Sequence, residues 1–353
     1  MHDAPARGIE LWMGTSNTGG QAVAIGREAE AQGFDGVTFG DTECQNPDAF
    51  VGLTVAGAAT SRLQLGIGVT NPVTRHPAVL ACSIATVQLE SGGRAVLGIG
   101  TGDSAVKKIG LPAATVGELE AFLVRLQRYL SGELVTEDGP LAQLTWIDEL
   151  SVPKVPVDVA ATGPGVIGVG ARVAERLTFN VGADPNRVRR SIEVARAARR
   201  AAGLGRDGVS FGAYVIVAPH SDRRVAQELI KPVAAVYARF SRTLGRSGDE
   251  LDPRDVEVIK AVVEHYDISR HGRGGAPHLA YLTDDFLDRF GVSGTPEDCV
   301  DRLAGLAALG LDRIVIVGPT RDAAPEVVSE SRRLLAEVVL PGVRRAVALQ
   351  GSA

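Results

Sequence analysis

The segment LQLGIGVTNPVTRHPAVLACSIATVQLESGGRAVLGIGTGD, residues 63–103, decides how the chain is read. It opens with an apolar strand, LQLGIGVTNP, and passes through HPAVLACSIATVQLESGG, a helix with proline in its first turn and glycines at its end. It closes on a second apolar strand, AVLGIGTGD. Neither strand alternates polar and apolar residues. A strand with both faces buried reads that way, and two such strands joined by a helix are parallel.

The same unit recurs on both sides. Strands are expected at 8–14 and 36–42, each followed by a helix (21–34 and 48–60), ahead of the third and fourth strands. A helix over 117–133 follows, then a fifth strand at 155–162, a helix from about 166 to 177 and a sixth strand at 178–184. A basic-faced helix over 185–203, a seventh strand at 209–219, an eighth at 313–319 and a final helix over 324–340 complete the series. Eight strand–helix units predict a (β/α)8 TIM barrel, an α/β fold that reaches this size as one domain. The expectation is a single domain over 1–353. It carries a short insertion over 136–154 before strand five and a helical insertion at about 222–295 between strands seven and eight.

Composition narrows the function. A net charge of −5 with no basic stripe argues against nucleic acid as a partner. Three distant cysteines, Cys44, Cys82 and Cys299, have no metal-ligand spacing and are too few for a disulfide framework, which suits a reducing compartment. The N-terminus has no apolar signal core and no run approaches about 18 apolar residues, so a cytoplasmic protein without a membrane span is expected.

Barrel chemistry sits at the C-terminal ends of the strands. Those ends hold Trp12; Asp41, Thr42, Glu43 and Cys44; Thr70 and Asn71 with Arg75 and His76; Thr101, Gly102 and Asp103; Thr162 to Gly165; and Asn180 to Asp184. None carries a lysine, since Lys107 and Lys108 already lie past strand four, so Schiff-base chemistry is disfavoured. No histidine pair joins carboxylates in a ligand pattern, and no metal is expected. The ends are rich in glycine instead, which lets a flat ligand approach the backbone. The run from Gly163 to Gly165 opens a helix, where free N–H groups bind phosphate. A large phosphorylated cofactor across the mouth is the reading these features support. A competing reading takes Gly163, Gly165 and Gly168, with Asp184 about 20 residues on, as a dinucleotide fingerprint.

The segment from Thr70 to Asp103, and SGGRAVLGIGTG within it above all, resembles the bacterial luciferase-like flavin oxidoreductases. The resemblance runs from about Gly8 to Thr320, clear in the first half and looser over 222–295. TNPVTRHP resembles the branch that uses coenzyme F420, a deazaflavin, and that includes methylenetetrahydromethanopterin reductases. The resemblance implies hydride transfer between F420 and a small organic substrate at the barrel mouth, and a homodimer built on the helices beside strands two and three. It implies a bulge in strand three with a non-prolyl cis peptide at Gly68–Val69 beneath the ring. Gly68, Val69, Thr70, Thr101, Gly102, Thr162, Gly163, Pro164, Gly165, Val166, Gly182 and Ala183 would hold the cofactor. Asp41 and Asp103 would be the acid/base residues. Thr42 stands where several relatives have histidine, which leaves the proton donor open. Trp12, at a strand end, is either core or pocket wall, and Glu43 and Cys44 would border the substrate with it, Cys44 otherwise being a packing residue. The insertion gathers His265, Tyr266, Asp267, His271 and His278, read either as solvated or structural residues or as a lid carrying a proton donor. Two other readings remain: an FMN-dependent, oxygen-using monooxygenase with a separate flavin reductase, and a non-catalytic flavin-binding protein.

Overall fold

In the computed structural model, which describes residues 8–149, 151–205, 207–241, 252–320 and 322–351, the strands are β1 (Glu10–Thr15), β2 (Gly36–Phe39), β3 (Gln64–Ile67), β4 (Ala95–Ile99), β5 (Val157–Ala161), β6 (Arg176–Phe179), β7 (Ser210–Pro219), β8 (Val292–Gly294) and β9 (Arg313–Val317). Strands β1 to β6 pair in sequence order, β6 pairs with β7, and β9 lies between β7 and β1. All these pairings are parallel. The eight long strands therefore close into the expected (β/α)8 barrel.

Around it run α1 (Ala22–Ala31), α2 (Ala49–Ala58), α3 (Pro77–Glu90), the short α4 (Ser104–Lys108), α5 (Val116–Leu130), α6 (Pro164–Val173) and α7 (Pro185–Ala201). Next come α8 (Arg223–Phe240), α9 (Pro253–Glu264), α10 (Asp284–Phe290), α11 (Pro296–Ala307), α12 (Pro325–Leu334) and α13 (Leu340–Gln350). The outward faces of the strands (Leu11, Val37, Leu65, Leu97, Val159, Leu177, Val215 and Ile314) are fully buried against this helical layer. No helix among the described residues is long and apolar enough to cross a membrane.

Two features, the start of strand six and the content of the long insertion, differ from expectation. Strand six begins at Arg176, inside the stretch read as helix, because α6 ends at Val173 and Ala174 is extended. The charge at Arg176, which looks like a helix surface, points into the barrel instead. The region 136–154 holds two single turns, Thr136–Asp138 and Ile147–Glu149. The insertion is not wholly helical: β8 adds to the end of β7, with Val217 opposite Val292 and Pro219 opposite Gly294. Three residues, the last of them glycine, are too few to show a period. The dinucleotide reading also fails. Gly163 to Gly168 open the fifth unit of a closed barrel, and Asp184 caps α7 by accepting the Asn186 N–H at 2.7 Å.

The barrel interior has two layers below its mouth. The lower one is ionic. Asp158 accepts from Arg313 Nη2 at 3.0 Å and from Thr178 Oγ1 at 2.8 Å, and Arg176 Nη2 donates to Glu10 Oε2 at 2.9 Å. Above it, Trp12 packs with Val96, Tyr214 and Val315. The indole donates to Glu10 Oε2 at 3.0 Å and receives the Arg176 guanidinium 4.9 Å from its centroid. Gly36 makes room for it, since a Cβ there would stand 2.5 Å from Trp12 Cδ2. Gly36→Ala is accordingly expected to cost about 1–3 kcal/mol through overpacking, read as a lower urea midpoint with an unchanged slope.

Candidate active site at the barrel mouth

The mouth is shaped first by a fault in strand three. Gly66 pairs with Val96, and the next pairing is Thr70 with Ile99. The chain advances four residues on one side and three on the other, which defines a bulge. Thr70 restores the ladder by donating to Gly98 O and accepting from Gly100 N, both at 3.0 Å. The extra backbone needs small neighbours. A Cβ on Gly98 would stand 1.9 Å from Ile67 O, and one on Gly68 2.5 Å from Thr38 Oγ1. The Gly68–Val69 peptide is cis. The Val69 side chain packs at the top of the cluster formed by Trp12, Val96, Tyr214 and Val315.

Buried polar atoms without partners gather around this floor. Thr70 Oγ1 and Asn71 Nδ2, on residues 0% and 1% exposed, have no hydrogen-bond partner among the described residues, and neither has Asn180 Oδ1 beyond β6. Such orphans are rare in native folds and mark a place where something polar from outside completes the bonding. Across the mouth, Gly163 stands at the N-cap of α6 with no side chain capping the helix, while Thr162, Pro164 and Val166 remain partly accessible and Gly165 is exposed. Thr101 and Gly102 follow β4, Gly102 with φ of +88°. A glycine-lined floor, orphaned polar atoms and a helix N-terminus fit a flat, polar, phosphorylated cofactor.

The two carboxylates are engaged. Asp41, 2% exposed, forms a salt bridge through Oδ2 with Arg75 Nη1, and Arg75 Nη2 also lies 3.4 Å from Asp41 Oδ1 and from Asp48 Oδ2. The Arg75 guanidinium sits 4.7 Å from the Phe50 ring centroid, and His76 caps α3 by accepting the Ala78 N–H at 3.2 Å. Asp103 forms a salt bridge through Oδ2 with Arg239 of α8 and lies 2.8 Å from Lys107 Nζ through Oδ1. Thr42 begins a turn whose carbonyl accepts from Gln45 and Asn46, leaving Glu43 and Cys44 exposed on the rim.

Two expectations need correction. Trp12 is 1% exposed and hydrogen-bonded toward the lower layer, so it floors the mouth and does not wall a substrate pocket. The Ala183 N–H donates to Phe290 O at 2.9 Å, and a Cβ on Gly182 would meet Phe290 at 2.7 Å. That turn is packed against α10, and the Ala183 N–H is not free for a cofactor.

The insertion brings residues to the mouth that sequence reading missed. Tyr237 of α8 packs on the interior cluster, edge-on to Tyr214 at 6.3 Å. Burial pushes both phenols' pKa values up. Arg239 lies 4.6 Å over Tyr266, whose hydroxyl meets His271 Nδ1 at 2.9 Å and whose ring stacks on His278 at 4.2 Å. Asp267 donates its N–H to His278 Nδ1 at 3.3 Å. Burial pushes Tyr266 up to about 12. Burial, and then the Arg239 charge, push His271 down to about 4, and burial moves His278 the same way. His265 stays apart, stacked on Tyr281 at 4.3 Å. Among the described residues, no group of three or more His, Cys, Asp or Glu is placed to hold a metal ion.

A closed barrel with a bulged third strand and a polar, glycine-lined mouth defines a ligand-binding (β/α)8 protein. The chain belongs to the luciferase-like monooxygenase family, whose pattern matches residues 7–313. It is 29% identical over 311 residues to a 5,10-methylenetetrahydromethanopterin reductase of Methanolobus tindarius, covering 86% of this chain and 92% of that one. It is 27% identical to an F420-dependent glucose-6-phosphate dehydrogenase of Microbacterium testaceum, covering 92% and 94%. Its fold matches the structure of the coenzyme F420-dependent tetrahydromethanopterin reductase of Methanopyrus kandleri with a TM-score of 0.75 at 22% identity, over 95% of this chain and 99% of that one.

Proposed function

We propose that this chain is an F420-dependent oxidoreductase that transfers a hydride between the deazaflavin and a small organic substrate at the barrel mouth. The observation that carries it is the set of orphaned polar atoms (Thr70 Oγ1, Asn71 Nδ2 and Asn180 Oδ1) around the bulge. F420 is favoured over FMN by a relative named for F420 that is 27% identical over 92% of this chain, against 18% identity or less for the monooxygenase structures of the same fold. When bound, the deazaflavin supplies a two-electron hydride chemistry that the side chains lack.

The chain's own groups do the rest. Gly68, Val69 and Thr70 support the ring. Thr101, Gly102 and the backbone from Thr162 to Val166 receive its polar and phosphorylated parts, with the α6 N-terminus favouring negative charge. Asp41 and Asp103 stand beyond β2 and β4, oriented by Arg75 and Arg239. They are the acid/base residues of this reading, and each, held by its arginine, can accept a hydrogen bond from a substrate hydroxyl or a water and so orient it. Thr42, next to Asp41 in the chain, carries a hydroxyl able to donate, and Glu43 and Cys44 border the entrance. Tyr237 and the α8 helix exclude water from one side of the mouth.

The test is fluorescence titration of cofactor-free protein with F420 and, separately, FMN. Tight F420 with weak FMN binding supports the reading. The reverse moves the chain to oxygen-using chemistry, in keeping with the family's name, and binding of neither removes both.

The working unit is a homodimer through α2 and α3. α2 has no charged residue and α3 has one, Glu90. Val51, Val55, Val79 and Leu89 are 64%, 42%, 54% and 41% exposed on these two helices. A helix apolar on all sides is one that assembly buries. Sedimentation is expected to give about twice 36.9 kDa, and Val51→Glu with Val79→Glu to give 36.9 kDa with an unchanged far-UV spectrum. A wild-type monomer would overturn this.

A further inference from the structure

The long insertion reaches across the mouth. On one side Gly274 donates its N–H to Asp322 Oδ2 at 2.8 Å, and Arg273 Nη1 lies 3.3 Å from Asp322 Oδ1, beyond β9. On the other, Arg239 of α8 is ion-paired with Asp103 beyond β4. β9 and β4 stand four strands apart in either direction around the closed barrel, so the two anchors face each other across it. His271 and Gly272 lie between them, and a Cβ on Gly272 would touch Val236 of α8 at 3.9 Å.

The segment carries an imidazole there with one nitrogen engaged and one not. Tyr266 Oη meets His271 Nδ1 at 2.9 Å. The same oxygen accepts from the Gly272 N–H, so its own proton is the one left for Nδ1. The Tyr266 ring is fixed in turn, stacked on His278 at 4.2 Å and with the Arg239 guanidinium 4.6 Å from its centroid. In a neutral imidazole the accepting nitrogen lacks the proton and the other carries it. Burial, and then the Arg239 charge, keep the ring neutral at pH 7, which places the proton on Nε2. The ring is half-buried. Its Nε2 makes no hydrogen bond with any described residue yet is not enclosed, whereas His278 Nε2 is enclosed without a partner.

We infer that His271 Nε2–H is the hydrogen-bond donor of the mouth, held there for the oxygen of a carbonyl or hydroxyl group on the substrate. This assignment deepens the hydride-transfer reading and rests on it, supplying the donor left open where Thr42 stands in place of histidine. The charges that face the ring select the class. Arg239 from α8 and Lys108 from α4 outnumber Asp103, and Tyr266 and His278 of its own segment add no negative charge. An oxygen that gathers negative charge is favoured there, and an iminium ion is not. In the reducing direction the hydride of the reduced deazaflavin reaches the carbonyl carbon and the π pair moves to oxygen. A neutral imidazole stabilises that oxygen through its hydrogen bond without giving up its proton, and the proton the oxygen takes up comes from water.

The experiment begins without cofactor. By NMR of isotopically labelled histidine nitrogens, one imidazole is expected to be neutral at pH 7 and still so at pH 5, with its proton on Nε2. It is expected to be absent in His271→Gln and no longer confined to one tautomer in Tyr266→Phe. A His271 that is charged at pH 7, or that carries its proton on Nδ1, overturns the inference whether or not F420 binds. Cyclohexanone is then titrated into the protein at saturating F420. The Nε2 resonance is expected to move saturably, tetramethylammonium to leave it in place, and His271→Phe to bind the ketone about tenfold more weakly. An unmoved resonance, or equal movement with both probes, overturns the inference. If His271→Phe fails to fold, the weakening is read in Tyr266→Phe, whose imidazole is no longer held in one tautomer. F420 fluorescence in the same sample keeps the two readings apart. Unbound cofactor defeats the hydride-transfer reading and this assignment with it, and bound cofactor with an unmoved resonance defeats this assignment alone.

Discussion

Asp158→Ala is expected to lower the free energy of unfolding by about 3–5 kcal/mol. The residue sits inside the barrel at 8% exposure, between Arg313 at 1% and Arg176 at 9%. It accepts from Arg313 Nη2 and Thr178 Oγ1, and Arg176 Nε lies 3.8 Å away. Burial and the neighbouring Arg313 already push the Arg176 pKa down. Removing the carboxylate leaves two guanidiniums facing each other, and among the described residues only Glu10, nearer the open lower end, is ion-paired with either of them. The double variant Asp158→Ala/Arg313→Met removes the stranded charge with its partner. Urea unfolding of the single and double variants is expected to show the double more stable than Asp158→Ala. Additive losses would mean that the layer is not a coupled unit.

That layer also marks where the sequence stops being legible. The barrel itself was readable because its outward strand faces are continuous apolar runs broken by capped helices. The ionic interior was not. Arg176 and Arg313 sit at strand starts, where a charge reads as a loop or a helix end, and only closure of the sheet brings them to Asp158. β8 was hidden for a simpler reason: three residues carry no period.

At the mouth, local features could be read and tertiary ones could not. The bulge in strand three is implied by the family resemblance, the glycines ahead of Asn71-Pro72 being equally compatible with a plain strand, and the α6 N-terminus is legible as a glycine–proline–glycine run after a strand. The engagement of Asp41 by Arg75 and of Asp103 by Arg239 depends on residues 34 and 136 positions away. No spacing rule reaches that far. Tyr237 and Arg239 looked like ordinary helix residues, since nothing in α8 announces that one side of it covers a barrel. The family resemblance implies a cofactor contact at the Gly182–Ala183 turn, and the Ala183 N–H donates instead to Phe290 O.

A pH-dependent loss of stability is expected from the insertion, through His271. Its folded-state pKa of about 4 lies below the ordinary 6.5. Between those values the unfolded chain holds a proton that the folded one does not, so stability rises with pH across the window. The contribution is full above pH 6.5 and is lost as pH falls toward 4, amounting to about 3 kcal/mol. His271→Phe removes the titration. Wild type is therefore expected to lose about 3 kcal/mol more than the variant between pH 7 and pH 4 in urea unfolding. His278, shifted the same way, is present in both proteins and cancels in the comparison. The place of the loss follows from the contacts. His271 touches Tyr266, Tyr266 lies beneath Arg239, and Arg239 ties α8 to Asp103 beyond β4. A cation formed at His271 faces Arg239 and loosens that tie first. Hydrogen exchange at pH 5 is expected to rise in α9 and the segment after it before it rises in β1 to β6. Parallel pH profiles for wild type and His271→Phe would show that the imidazole is not held neutral, and the link between the insertion and the mouth would then rest on the Arg239–Asp103 pair alone.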